Sequence, residues 1–339
     1  MQRELTEGPL HNEDGTLAET GWARADVRRY SRAAIKAPWY RIKEWDYYCV
    51  LGPEYGLALV IADNSYMSLQ ALTWLDLKRK RMVDASDIGL LSRGKLGMPS
   101  SPDAGDLSLH GKKMDFEFEV GEGFRRLTFN CPGFDDGKGA VGQVTLSQPP
   151  MDRMVIATPF EGQPHAFYYN QKINCMAATG QITIGDDTYT FRPNEHFAVL
   201  DWGRGVWPYD NLWYWGSASG VANGKSFGFN IGYGFGDTSA ATENLVFVDG
   251  RAHKLGQVTW NIPPEGYTAA PWTFSSNDGR FEVSFEPLFD RDNSVNLGFL
   301  HSIPHQVFGT FSGTVMLDDG TRLPFKDVMG FAEEVANRW

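Results

Sequence analysis

The sequence is short of cysteine, of positive charge and of long apolar runs, and each shortage excludes something. Its three cysteines, Cys49, Cys131 and Cys175, lie far apart with no paired spacing, so neither a disulfide framework nor a thiolate zinc site is expected. No run approaches the roughly 20 apolar residues of a membrane span. The opening "MQRELTEGPLHNEDG" has no apolar stretch of the signal-peptide kind. These features read as a reduced, cytoplasmic protein with no membrane span. Lysine and arginine number 31 against 42 acids, for a net charge of -11. That balance argues against a nucleic-acid partner, which needs a basic face. The basic run from Lys78 to Arg81 reads as a solvated loop or strand end. The seven histidines show no metal-ligand spacing apart from His301 and His305, and Pro304 between those two disfavours the helix that would align them. No metal and no cofactor is expected.

What the chain has is glycine, 37 residues of it, and aromatic side chains at 14%, a mixture that suits pleated surfaces and tight turns. The dominant period is two. Phe116, Phe118 and Val120 alternate with Asp115, Glu117 and Glu119, and Phe227, Phe229, Ile231 and Tyr233 alternate with Gly228, Asn230, Gly232 and Gly234. Asn223-Gly224, Asp249-Gly250, Asp278-Gly279 and Asp319-Gly320 each punctuate apolar runs as hairpin turns do. "SLQALTWLDLKRKRM" fits a helix or a strand, and strand is the preferred reading. "LSRGKLGMPSSPDAGDLS" reads as a loose loop. A length of 339 residues is too great for one ordinary core. The expectation is all-β: two tandem antiparallel barrels with few helices, divided near residue 195 at Pro193-Asn194. Closure into barrels removes exposed edges, and a small barrel often holds one apolar ligand.

The segment "VLDWGRGVWPYDNLWYWGSASG" holds four Trp and two Tyr between Trp202 and Trp215, with Asp201 and Arg204 at its front edge. On a strand, Phe197 and Val199 share the face of Asp201, while Ala198, Leu200 and Trp202 share the other. An acid on an apolar face is desolvated, which favours its protonated form, and a nearby guanidinium opposes that. Asp201 and Arg204 are therefore either a catalytic pair or a structural ion pair at a strand end. Trp213 and Trp215 share a face, with Tyr214 opposite. Stacked indoles suit an apolar chain, a sugar ring or a developing carbocation. Glu243, after a Gly-rich loop, is either a second carboxylate of a glycosidase-type pair or a turn cap. Trp45 sits among the charges Lys43, Glu44 and Asp46. The candidate catalytic residues are Asp201, Arg204 and Glu243. The candidate ligand-binding residues are Trp45, Tyr169, Trp202, Trp207, Tyr209, Trp213, Trp215, Asn230, Tyr233 and Asn244.

The segments "GWARADVRRYSR", "KEWDYY", "IADNSY", "FAVLDWGRGVWPY", "GFGDTSAATENLVFVDG" and "GFAEEVANRW" resemble the domain-of-unknown-function family 2804 over nearly the whole chain. More remotely, the chain resembles a two-domain lipocalin-like superfamily that includes carotenoid hydratases, kievitone hydratase and tocopherol cyclase. That likeness rests on Tyr168-Tyr169, "GQITIGDDTYTF", "VLDWGRG" and Trp213-Tyr214-Trp215. It implies tandem lipocalin-like β domains, a catalytic acid at Asp201, and a small apolar or cyclic ligand at the domain interface. The reaction it implies is an acid-catalysed hydration, isomerisation or cyclisation, with Arg204 and Tyr209 orienting or stabilising charge. Two other readings stand beside it: a glycoside-active enzyme using Asp201 and Glu243, and a non-catalytic carrier of an apolar ligand. The sequence fixes no oligomeric state.

Overall fold

The computed structural model describes residues 2–292, 294–296 and 301–338, with backbone alone at 295, 296 and 301. The period-two patterning becomes strands almost throughout, arranged as two curled antiparallel half-barrel sheets of the lipocalin-like kind. In the first sheet the strands run, in spatial order, Arg81–Leu90, Met67–Asp76, Tyr55–Asp63, Ile42–Leu51, Phe197–Val206, Gln163–Ile184, Ala140–Ser147, Phe124–Cys131, Asp115–Gly121 and Leu107–His110. The second sheet runs Arg251–Lys254, Leu245–Val248, Lys225–Tyr233, Asp210–Ala222, Arg322–Arg338, His301–Met316, Phe281–Arg291, Trp272–Ser276 and Val258–Asn261.

The expected division at residue 195 is corrected by the pairing. Phe197–Val206 lies in the middle of the first sheet, between Ile42–Leu51 and Gln163–Ile184, and the chain changes sheets between Val206 and Asp210. The Pro193-Asn194 turn interrupts one edge without reversing it: the His196 amide donates to the Arg192 carbonyl at 2.8 Å, and Phe197–Val206 continues along Gln163–Ile184 in the direction of Asp187–Phe191. The ambiguous "SLQALTWLDLKRKRM" is the strand Met67–Asp76 followed by a turn. The loop read as loose is instead tied down from inside the barrel. Arg204 Nη2 donates to the Pro99 carbonyl at 2.8 Å, Arg125 Nη2 to the Pro102 carbonyl at 2.6 Å, and Ser101 Oγ to Asp26 at 2.7 Å.

Strand alternation sorts the apolar residues into three cores. Leu200, Trp202 and Tyr169 fill the first barrel, and Phe229, Phe285 and Phe311 fill the second. A third core, with Val199, Tyr168, Trp207 and Trp215, lies between the sheets. A bulge in Gln163–Ile184, with Cys175 at φ 62, stitches the sheets together. Asn174 Nδ2 donates to Ser217 Oγ at 2.8 Å and the Cys175 amide to Ser219 Oγ at 3.0 Å. All three cysteines are free and buried.

Candidate active site

The residues of Asp201's face meet the second sheet across a cavity of about 400 Å³. Its first wall is a cross-strand row: Lys172, Asp201, Tyr47 and Val60 are successive register partners on four neighbouring strands. The opposite wall is a matching row of Trp215, Glu333, Gln306 and Arg291. The rows touch where Lys172 Nζ stands 4.0 Å above the Trp215 ring and where Gln306 Nε2 donates to the Tyr47 hydroxyl at 3.4 Å. Trp45, Trp207, Trp213 and Phe235 add the apolar wall.

The two glycines of "DWGRG" explain why indoles crowd this acid. Gly203 and Gly205 follow Asp201 on the same face. A Cβ on Gly203 would stand 2.0 Å from Cζ2 of Trp45, and one on Gly205 would stand 2.9 Å from Nε1 of Trp207. The missing side chains leave the bed on which both indoles lie.

Asp201 is paired with Lys172, not with Arg204. Its Oδ1 accepts from Lys172 Nζ at 2.7 Å and from Asn170 Nδ2 at 2.6 Å, two N–H donors on one oxygen. Arg204 lies three residues on and so on the other face, fully buried inside the first barrel. There it meets Asp46 at 3.0 Å and Glu44 at 4.0 Å, and its guanidinium lies over Trp202. The expected Asp201–Arg204 pair is therefore absent for a reason of parity.

Glu333, which the sequence reading did not single out, lines the cavity. Its Oε1 accepts from Trp213 Nε1 at 3.2 Å and its Oε2 from Gln306 Nε2 at 3.0 Å. Burial pushes its carboxyl up to about 7; the Asp201 charge adds to the rise, while the Trp213 bond and the charges of Lys172 and Arg291 oppose it. Burial also lifts Glu243 to about 7, against the pull of Lys172. Glu243 is not on the cavity wall: its carboxyl is fully buried beside the Tyr168 hydroxyl and Asn230. The Asp201–Glu243 couple therefore does not share one groove.

Of the ligand-binding candidates, Trp45, Trp207, Trp213 and Trp215 line the cavity. Asn230 stands behind it, accepting from Trp215 Nε1 at 2.7 Å. Tyr169 and Trp202 face the first barrel's core, where the Tyr169 hydroxyl donates to Asp26 at 2.8 Å. Tyr209 is half-exposed and packs near Arg338. Tyr233 stacks on Tyr214 at 4.4 Å on the far face of the second sheet. Asn244 holds backbone, accepting from the Gly232 amide at 2.8 Å. Glu333 carried a faint signal, an acid alternating with Phe331 and Val335 in "GFAEEVANRW". Lys172 had no such signal in "YYNQKINC", where its same-face neighbours Asn170 and Asn174 are polar. Among the described residues no group of three His, Cys, Asp or Glu side chains is placed to hold a metal ion. The side chain of His301, paired with His305 in the sequence reading, lies outside the described residues. No described helix is long and apolar enough to cross a membrane.

Comparison with known structures places the fold. The chain is similar to NE1406 of Nitrosomonas europaea, at 14% identity and TM-score 0.54, covering 92% of this chain and 98% of that one. It is similar to CghA with Sch210972, at 10% identity and TM-score 0.51, and to kievitone hydratase from Nectria haematococca, at 11% and 0.49, each covering 88% of both chains. At these identities the likeness is one of fold. No curated protein matches the chain. A family model described as a domain of unknown function, DUF2804, matches residues 2–339, and the chain belongs to that family.

Proposed function

We propose that the cavity between the sheets is an active site for an acid-catalysed step, the addition of water to an unsaturated cyclic molecule or its reversal. One observation carries this reading: two buried carboxyls, one from each sheet, line the same indole-walled cavity. Asp201 is held beside the Lys172 ammonium, while Glu333 is lifted to about 7 by burial. A carboxyl raised by burial can give a proton, and one that accepts two N–H donors is placed to take one. Glu333 gives its proton to one alkene carbon. The positive charge that develops on the other carbon faces indole rings, which attract it. A water oxygen bonds to that carbon and its surplus proton passes to the Asp201 carboxylate. Exchange with solvent then returns Glu333 to its acid form and Asp201 to its carboxylate. The role first given to Asp201, proton donor, moves in this reading to Glu333, and Asp201 becomes the base.

The carrier reading expects no acid at the cavity wall, and Asp201 and Glu333 are both there. The glycoside reading rests on Asp201 with Glu243, and Glu243 is off the wall. The test is a screen of cyclic alkenes and enones, scored by mass for gain of one water, with aryl glycosides in a parallel arm. The expected result is turnover of a member of the first set that is lost in Glu333→Gln and Asp201→Asn, both folded. Turnover retained at the wild-type rate in Glu333→Gln ends the assignment, and glycoside release dependent on Asp201 replaces it.

A further inference from the structure

The proposed chemistry uses the middle of the cavity and leaves its two ends unexplained. They differ. At one end stand Trp213 and Trp215, on Asp210–Ala222, with Trp207 at 5.3 Å from Trp213. At the other end, three strands away in the same sheet and so about 14 Å distant, stands Arg291. Glu333 lies between them, one strand from Trp215 and two from Arg291.

The Arg291 end is polar by construction. Nη1 donates to Gln306 Oε1 at 3.3 Å, and both side chains line the cavity. The counter-ion of Arg291 is Asp84, contributed by the first sheet, at 3.4 Å. Both side chains keep about a quarter of their exposure, 22% and 27%. A long contact at a partly wet rim is weak, and the planar fork of arginine suits a bidentate oxyanion better.

We infer that the substrate of this site is an elongated amphiphile, a cyclic apolar body seated among the indoles with an anionic group at its far end held by Arg291. This rests on the cavity being the active site, but it concerns recognition and not proton transfer. The anion displaces Asp84 from Arg291, and the molecule passes Glu333 between its two ends. Distance between the two ends sets the length, so a compact anion or an apolar chain without a charge occupies only half of the cavity.

A matched pair of fluorescent probes tests this without a known substrate: 6-(p-toluidino)naphthalene-2-sulfonate and its uncharged parent, N-(p-tolyl)-2-naphthylamine. The wild-type chain is expected to bind the sulfonate about tenfold more tightly than the neutral amine. Arg291→Gln is expected to erase that preference while leaving the amine's affinity within about twofold. Asp84→Asn, which frees Arg291, is expected to tighten the sulfonate and not the amine. Trp213→Ala weakens both. Equal affinity of the wild type for the two probes, or a preference that survives Arg291→Gln, overturns the inference. Neither probe responding to Trp213→Ala instead removes the cavity itself and with it the catalytic reading. Loss of turnover in Glu333→Gln bears only on the catalysis.

Discussion

Lys172 and Asp201 face one another as direct partners on neighbouring strands, Nζ to Oδ1 at 2.7 Å, and the pair is almost wholly buried, at 1% and 11% side-chain exposure. Removing one member leaves an uncompensated charge in a low-dielectric site. Lys172→Met is expected to cost about 3–5 kcal/mol. The double variant Lys172→Met with Asp201→Asn is expected to be more stable than that single one. Urea denaturation of the four proteins of the cycle reads the coupling, and additive losses would sink the claim that the two charges act as a unit.

The lifted carboxyls make stability fall as pH rises. Glu243 and Glu333 have an ordinary value of 4.5 and sit at about 7 in the folded chain. Between those values the folded protein holds protons that the unfolded chain has released. Each group therefore lowers stability progressively across that window, by up to about 3 kcal/mol, and the loss levels off above about pH 7. Glu243→Gln and Glu333→Gln should each flatten the slope of unfolding free energy against pH from 5 to 7. An unchanged slope in both variants contradicts the raised values.

Activity has its own pH signature under the proposed reaction. Glu333 works as an acid, so kcat/KM should decline above about pH 7 as its carboxyl ionises. The limb should be absent from the residual rate of Glu333→Gln and present in Glu243→Gln, because Glu243 does not reach the cavity. A pH profile of the three enzymes decides it.

Gly203→Ala probes the bed under Trp45. The added Cβ would sit 2.0 Å from the indole, which forces the ring toward the cavity or the strands apart. Overpacking of this kind costs about 1–3 kcal/mol. The expected outcome is lower thermal stability together with weaker binding of the neutral naphthylamine. A variant that binds it as the wild type does shows that Trp45 has somewhere else to go.

Arg204→Met separates the two faces of the same strand. Asp46 and Glu44 lose a buried cation, at a cost of about 3–5 kcal/mol. The folded fraction should still bind the neutral naphthylamine as the wild type does, since Arg204 lies inside the first barrel, on the strand face away from the cavity. Calorimetry with fluorescence titration checks both halves, and a fall in affinity without a fall in stability reverses the assignment.

Sequence alone determined the fold class and singled out the segment around Asp201 as the candidate site. Period-two alternation with Asx-Gly turns leaves the backbone few options besides antiparallel strands, and parity along "FAVLDWGRG" already placed Val199 with Asp201 and Trp202 opposite. The same parity separates Asp201 from Arg204, three residues apart, yet proximity in the chain suggested a pair. What only the tertiary structure decided is which distant residues meet. Lys172 reaches Asp201 because their strands pair in one register. Glu333 reaches the cavity because the last strand lies between Asp210–Ala222 and His301–Met316. Strand order and register depend on long-range pairing, which no local pattern encodes, so the partner, the second carboxyl and the sheet boundary at Val206 to Asp210 came from the fold. A raised carboxyl is likewise a property of burial, and burial of Glu333 exists only once the two sheets close on each other.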